Sequence, residues 1–147
     1  MINERISEID ELLTEQINKI IHHAEFQKLE ASWRGLEMLI NNLEPDDKLK
    51  IRVLDATKDD ILLDHRTAPD WDQSGLFKLV YESEYGTFGG EPFGMLVGDY
   101  YCSRSQTDIE FLRAVSLVAS AAHVPFISAA GSKLFDMDSF TDLSKPK

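Results

Sequence analysis

The sequence predicts an α/β fold: an N-terminal helical arm followed by a small mixed or parallel sheet with flanking helices. Three observations predict it. Apolar residues recur at three- and four-residue steps through the first 43 positions, the period of an amphipathic helix. Residues 48–55 alternate polar and apolar, the period of a strand with one buried face. Residues 93–129 read as a short apolar run, a small-residue-rich helical stretch and a second apolar run, which is a strand–helix–strand crossover.

The elements follow in order. Ile2, Ile6, Ile9, Leu12, Leu13, Ile17, Ile20 and Ile21 form one stripe, and Glu4, Glu8, Glu11 and Glu15 mark the solvated face. Phe26, Leu29, Trp33, Leu36, Leu39, Ile40 and Leu43 form a second stripe. His22 to Glu25 contains no Gly or Pro, so the stripes form either one long helix or two helices with a bend; a bend near His22–His23 is favoured. Trp33 falls on the stripe and is expected in the core with Leu29 and Leu36. Trp33-Arg34 as a recognition face is the competing reading. Asn41, Asn42 and Pro45 end this helix.

"KLKIRVLD", Lys48 to Asp55, is the first expected strand, with Leu49, Ile51 and Val53 on one side. Thr57 is an N-cap with Asp60 at N3. The helix it opens carries Ile61, Leu62 and Leu63 and ends before Pro69. Asp72 or Ser74 opens the next helix, with Leu76, Phe77, Leu79, Val80 and Tyr81. Gly86 to Gly94 is a loop, and Phe93 to Val97 a short apolar strand. Ser105 or Thr107 caps a helix through Ile109, Phe111, Leu112, Val115, Leu117, Val118 and Ala122; Ala114, Ala119 and Ala121 let it pack closely on a sheet. Val124 to Ala129 is the third strand, entered through Pro125. The tail is turns with room for a single helical turn.

Composition bounds the function. A chain of 147 residues suffices for one cored domain. The net charge of −11 disfavours nucleic acid, whose phosphates need Lys and Arg, and an anionic membrane surface. One cysteine, Cys102, excludes an intramolecular disulfide and a cysteine-based zinc site. No run reaches the roughly 18 apolar residues of a membrane span. A reducing cytoplasm is the simplest compartment.

The stretch "EYGTFGGEPFG", from Glu84 to Gly94, raises the question of a phosphate loop. Phosphate cradles run strand, glycine loop, helix. Here the order is helix, loop, strand; no Gly-Lys-Ser/Thr follows, and Glu91 sets a carboxylate beside the would-be phosphate. The glycines are expected instead to supply positive φ for a tight reversal, with Pro92 setting entry to the strand and Phe88 and Phe93 anchoring the loop to the core. His22 and His23 are adjacent, so on a helix they diverge and do not share a metal; a helix-terminal role near carbonyls is favoured. Cys102 with His123 and Asp99 could be drawn as nucleophile, base and orienter, but a small semi-buried thiol fits better. Asp99 is expected just past a strand end, where α/β ligands often sit, and there an Asx-turn role is favoured. No cofactor is expected.

Four runs carry a family resemblance: "HHAEFQKLEASWRGLEMLI" (22–40), "KIRVLDATKDDI" (50–61), "FKLVYESEYGTFGGEPFGMLVGDYY" (77–101) and "AAHVPFISAA" (121–130). They resemble the large subunit of the type VI secretion system contractile sheath, the TssC/VipB family, in family order across nearly the whole chain. The signature positions here are Phe26, Leu29, Trp33, Arg34, Gly35 and Leu36, then Tyr85, Gly86, Phe88, Gly89, Gly90, Glu91, Pro92, Gly94, Gly98, Asp99 and Tyr100. The resemblance implies a structural, non-enzymatic role in the bacterial cytoplasm, with no active site. It implies pairing with a small sheath subunit and contact with neighbouring large subunits. These heterodimers stack around an inner tube of hexameric rings, contraction drives the tube and spike outward, and an AAA+ ATPase dismantles the contracted sheath. Nucleic acid and membrane are not implied as partners.

Family members are several times longer than this chain. The resemblance therefore implies residues 1–45 as a helical arm and 46–147 as a partial α/β sheath domain, an incomplete part of a larger fold, with the ATPase-recognition segment outside it. Two rivals differ in class: a small α/β ligand-binding domain using the Gly86–Asp99 loop, and a self-associating helical adaptor using residues 1–44.

Overall fold

The computed structural model describes residues 2–44 and 49–144. They fall into two compact units, Met1–Arg52 and Val53–Lys147.

The first unit carries α1 (Ile2–Ile21) and α2 (Ala24–Asn41). The chain breaks helix at His22–His23, as the two stripes suggested. His23 sits in extended backbone as the N-cap of α2, and its Nδ1 accepts from the Glu25 N–H at 3.3 Å. The histidine thus serves an orphan donor at a helix start, not carbonyls at a helix end. Asn42 closes α2, donating its side-chain amide to Met38 O at 2.7 Å; Pro45 lies outside the described residues. Neither Trp33 nor Leu29 is buried. Trp33 is 63% exposed and α2 buries none of its residues. Periodicity marks which face is apolar, but burial needs a neighbouring surface, and within this unit α1 touches α2 only sparsely.

The expected strand at 48–55 is a second correction. Residues 49–55 are neither helix nor strand, and Leu49, Ile51, Val53 and Leu54 are exposed; Lys48 lies outside the described residues. A strand exists by pairing with another, and among the described residues this segment joins no sheet.

The second unit opens with α3 (Lys58–Thr67), where the capping box is complete. Asp60 N donates to Thr57 Oγ1 at 3.2 Å, and Thr57 N donates to Asp60 Oδ2 at 2.9 Å. Ile61 and Leu62 are buried, whereas Leu63 faces solvent. A 3-10 turn, Trp71–Gln73, leads into α4, which has three stretches: α-helical Gly75–Phe77, π-helical Lys78–Glu82 and α-helical Ser83–Tyr85. Its start is doubly capped. Ser74 Oγ accepts from Phe77 N, and the Asp64 carboxylate accepts from Gly75 N and Leu76 N at 2.8 and 2.9 Å. Rings at four-residue spacing along α4 stack, Phe77 on Tyr81 and Tyr81 on Tyr85, each with centroids 5.0 Å apart.

The sheet holds two strands among the described residues, not three: β1 (Leu96–Cys102) and β2 (Phe126–Ala130), joined by α5 (Gln106–Ala121) and parallel. β1 starts three residues later than its apolar run suggested and continues through Gly98-Asp99-Tyr100. Those turn-like residues are absorbed by a bulge. Gly98 pairs with Ser128 and Tyr101 with Ala129, leaving Asp99 and Tyr100 between them, while Ser128 Oγ donates to Tyr100 O at 2.7 Å.

Ser105 caps α5, accepting from Asp108 N. At the other end His123 adopts φ 55°. Val124 N donates to Ala119 O and His123 N to Ser120 O, the paired bonds of a left-handed helix stop that glycine usually fills.

α5 lies between two core clusters. Phe77, Val80, Val118, Ala119, Ala122 and Val124 form one, and Ile61, Leu62, Cys102, Phe111 and Val115 the other. Phe111 is fully buried, worth ~1.5–3 kcal/mol in transfer free energy. The opposite face of the sheet is open, with Val97, Tyr101 and Ile127 exposed. The tail forms 3-10 turns at Ser132–Phe135 and Phe140–Ser144. No helix among the described residues is long and apolar enough to cross a membrane.

Candidate functional site

The α4–β1 loop is the densest run of signature residues, and one carboxylate organises it. Glu84, in the last turn of α4, is buried, and its Oε2 accepts from Glu91 N at 2.8 Å. Tyr85 donates its hydroxyl to Ala122 O at 2.6 Å, tying the loop base to the end of α5. Gly86 N donates to Glu82 O and Gly90 N to Thr87 O, both at 3.0 Å. Three amides of the loop are thus bonded within the protein, one of them to a carboxylate. An approaching phosphate would meet that negative charge. The geometry therefore supports a turn and gives no support to an anion cradle.

Only Gly89 uses positive φ, at 83°. The other glycines were expected to do so too, but Gly86 and Gly90 act instead by admitting close approach of backbone. A Cβ on Gly86 would stand 2.7 Å from Glu82 O, and one on Gly90 would overlap Glu84 O. Gly94 has open space around it. Phe93 packs against the first core cluster as expected. Phe88 does not: it is fully exposed at the loop tip. Pro92, which offers no amide hydrogen, is exposed between Glu91 and Phe93.

On β1, Gly98 is buried, and a Cβ there would stand 2.8 Å from the Phe126 ring. Tyr100 lies edge-on to Phe111 and donates its hydroxyl to Ala56 O at 2.6 Å. Burial, then the charges of Asp55, Asp60 and Asp99, push its phenol up. Asp99 is exposed inside the strand bulge, not past a strand end. Cys102 is buried in the second cluster, whereas Asp99 and His123 are exposed. The buried thiol fits a packing role. On α2, Phe26 is partly exposed, Leu36 half-buried, and Arg34 donates Nε to Glu30 Oε1 at 2.7 Å. Gly35 has nothing within 4 Å of a Cβ. The first signature run thus presents an open helix face, and the second forms a tied loop and strand.

Sequence reasoning missed two groups. Glu84 stood in the quoted run without a role. Asp108 holds the second: Oδ1 accepts from Lys58 Nζ at 2.5 Å, and Oδ2 from Ser103 N at 2.8 Å and Ser103 Oγ at 2.6 Å. Lys58 also donates to Tyr101 O at 3.1 Å. This latch joins the start of α3, the end of β1 and the start of α5. Its local signal was the Ser-x-x-Asp spacing of Ser105 and Asp108, a capping-box pattern. Here the carboxylate turns to Ser103 and Lys58 instead.

Similarity to known proteins agrees with the family resemblance. The profile of the VipB family, described as EvpB/VC_A0108, tail sheath N-terminal domain, matches residues 3–147. The type VI secretion system sheath protein TssC1 of Pseudomonas aeruginosa is 48% identical over 151 aligned positions, covering 99% of this chain. The chain spans 30% of that relative's length. The chain belongs to the VipB family of tail sheath proteins, and its residues correspond to the family's N-terminal domain.

Proposed function

We propose that this chain acts as part of the large subunit of a type VI secretion contractile sheath. In this reading it pairs with a small sheath subunit, and the heterodimers stack around an inner tube of hexameric rings. Contraction propels the tube and spike from the bacterial cytoplasm, and an AAA+ ATPase recycles the contracted sheath through a segment outside these residues. Its role is architectural and it catalyses nothing. Residues 1–45 serve as the helical arm and 46–147 as part of the sheath domain, with both signature runs acting structurally.

The 48% identity to a protein named as a type VI sheath protein, across 99% of this chain, carries the reading. The tied glycine loop supports it, since its amides serve the fold. The test is co-expression of the complete gene product with a small sheath subunit, followed by electron microscopy. Long hollow tubes are expected; failure to form tubes with any small subunit counts against it. Calorimetry with ATP, GTP and Zn²⁺ addresses the ligand-binding rival, and a saturable micromolar site mapping to Gly86–Gly94 would replace the structural reading.

A further inference from the structure

We propose that the π-helical stretch of α4 is a conformational device: one residue inserted into the helix, held by Ser83, ties down the α4–β1 loop, and return to plain α-helix releases it. The amide of Ser83 marks the insertion. It donates to Lys78 O, five residues back, where an α-helix would use Leu79 O, four back. The Ser83 hydroxyl takes that place, lying 2.8 Å from Leu79 O and 2.7 Å from Lys78 O. A serine hydroxyl on the fourth carbonyl back is ordinary in helices, where it competes with the amide. Here the amide has moved on, and the hydroxyl stands in for it. By Gly86, whose N donates to Glu82 O at 3.0 Å, α-helical spacing has returned.

The inserted residue decides which side chains reach the loop. At the ~100° per residue of an α-helix, Glu84 would fall within about 20° of Phe77, and Tyr85 about 80° away from it. The wider turn reverses the two. Phe77, Tyr81 and Tyr85 form one column, with interplanar angles of 24° and 16° between successive rings, and Tyr85 reaches Ala122 O. Glu84 is carried round to the loop, where it accepts from Glu91 N. In α-helical register the Tyr85 hydroxyl and the Glu84 carboxylate would both leave these partners. One hydroxyl, on an exposed residue, thus controls both ties. Turns of this kind are frequent at functional sites, and packed elements move between discrete arrangements rather than bending smoothly.

Amide hydrogen exchange, resolved to single residues in the complete gene product, tests the device. The reporters are Glu91, whose amide Glu84 holds, and Phe111, in the buried part of α5, as the reference. Ser83→Ala should speed exchange at Glu91 by ~10-fold or more, as for a lost hydrogen bond, and leave Phe111 unchanged. Ser83→Thr, which keeps a hydroxyl, should restore protection. Deleting the exposed Glu82 removes the inserted residue and should give a plain α-helix with Glu84 and Tyr85 still on their partners. Glu91 should stay protected in the deletion, and Ser83→Ala added to it should change nothing. Wild-type exchange in Ser83→Ala overturns the proposal. So does a loss at Phe111 equal to that at Glu91, which would make Ser83 an ordinary stabilising residue. A deletion that leaves Glu91 unprotected, with or without the core, overturns it too, as does a Ser83→Ala effect that persists in the deletion.

Discussion

Replacing Asp108 by Asn should loosen the second unit more than any surface change. The side chain is only 10% exposed and accepts three hydrogen bonds, one from a lysine. The substituted amide would keep an oxygen for Ser103 but turn its hydrogens toward the Lys58 ammonium. A hydrogen bond to a charged group is worth ~1.5–3 kcal/mol, so the expected loss is about 2–3 kcal/mol. Asp108→Ala leaves the ammonium without its carboxylate and should cost ~3–5 kcal/mol. Against a domain stability of about 5–15 kcal/mol, either is large. With a urea slope of ~1–3 kcal/mol per molar, Asp108→Asn should lower the midpoint by roughly 1–2 M. The latch also sets a pH dependence. Burial alone would raise the Asp108 carboxyl, but the bonds from Lys58 and Ser103 and the Lys58 charge outweigh it and hold it well below the usual carboxylate range. The unfolded chain takes up that proton near pH ~3.9. Because the folded value is the lower one, the stabilisation is complete above the unfolded value and is lost as pH falls through it toward the folded value. Urea titrations of both proteins at neutral pH and between about pH 5 and 3 check this, with wild type losing stability more steeply than Asp108→Asn. A midpoint within about 0.3 M of wild type, with parallel pH curves, would refute the latch as a stabilising element.

Trp33→Ala should change stability by less than about 0.5 kcal/mol, as for exposed sites; a loss of ~3–5 kcal/mol would mean that the ring is buried in solution. His123→Gly should raise the thermal midpoint by a few degrees, since left-handed backbone costs a residue with a Cβ ~1–2 kcal/mol and added unfolded-state freedom removes only part of the gain; a lowered midpoint would contradict the left-handed helix stop. Gly90→Ala should cost ~1–3 kcal/mol through overpacking against Glu84 O, with faster amide exchange at Glu91, and wild-type protection there would show that the loop adapts. Cys102→Ala in the complete gene product should leave sheath tubes intact under the electron microscope, because the buried thiol only packs; lost tubes would assign it a further role.

Much of the fold was legible locally. Thr57 with Asp60 and Ser105 placed the starts of α3 and α5, and the two apolar stripes placed α1, α2 and the break between them. The order helix, glycine loop, strand already argued against a phosphate site before Glu84 was seen to occupy its amide. The resemblance carried by the two signature runs identified the family. These signals act within a few residues, on the first unpaired amides of a helix or on the period of one face. What needed three dimensions was less legible. β1 runs on to Cys102 because a bulge absorbs Asp99 and Tyr100, and a bulge is visible only against its partner strand.

The sequence by itself determined the start of α3, the two apolar helical stripes and the parallel crossover, because capping and periodicity are set by neighbours along the chain. The resemblance of its signature runs identified the family. The tertiary structure alone decided burial and pairing. It left Trp33 exposed and residues 49–55 outside the sheet, against their patterns, and it brought Lys58 to Asp108 across 50 positions. It also turned Glu84 inward to hold the loop and left Phe88 bare at its tip. The physical reason is that an apolar face or a strand edge states only what it could bury or bond. Which surface meets it depends on residues distant in sequence, and on whatever else shares the space.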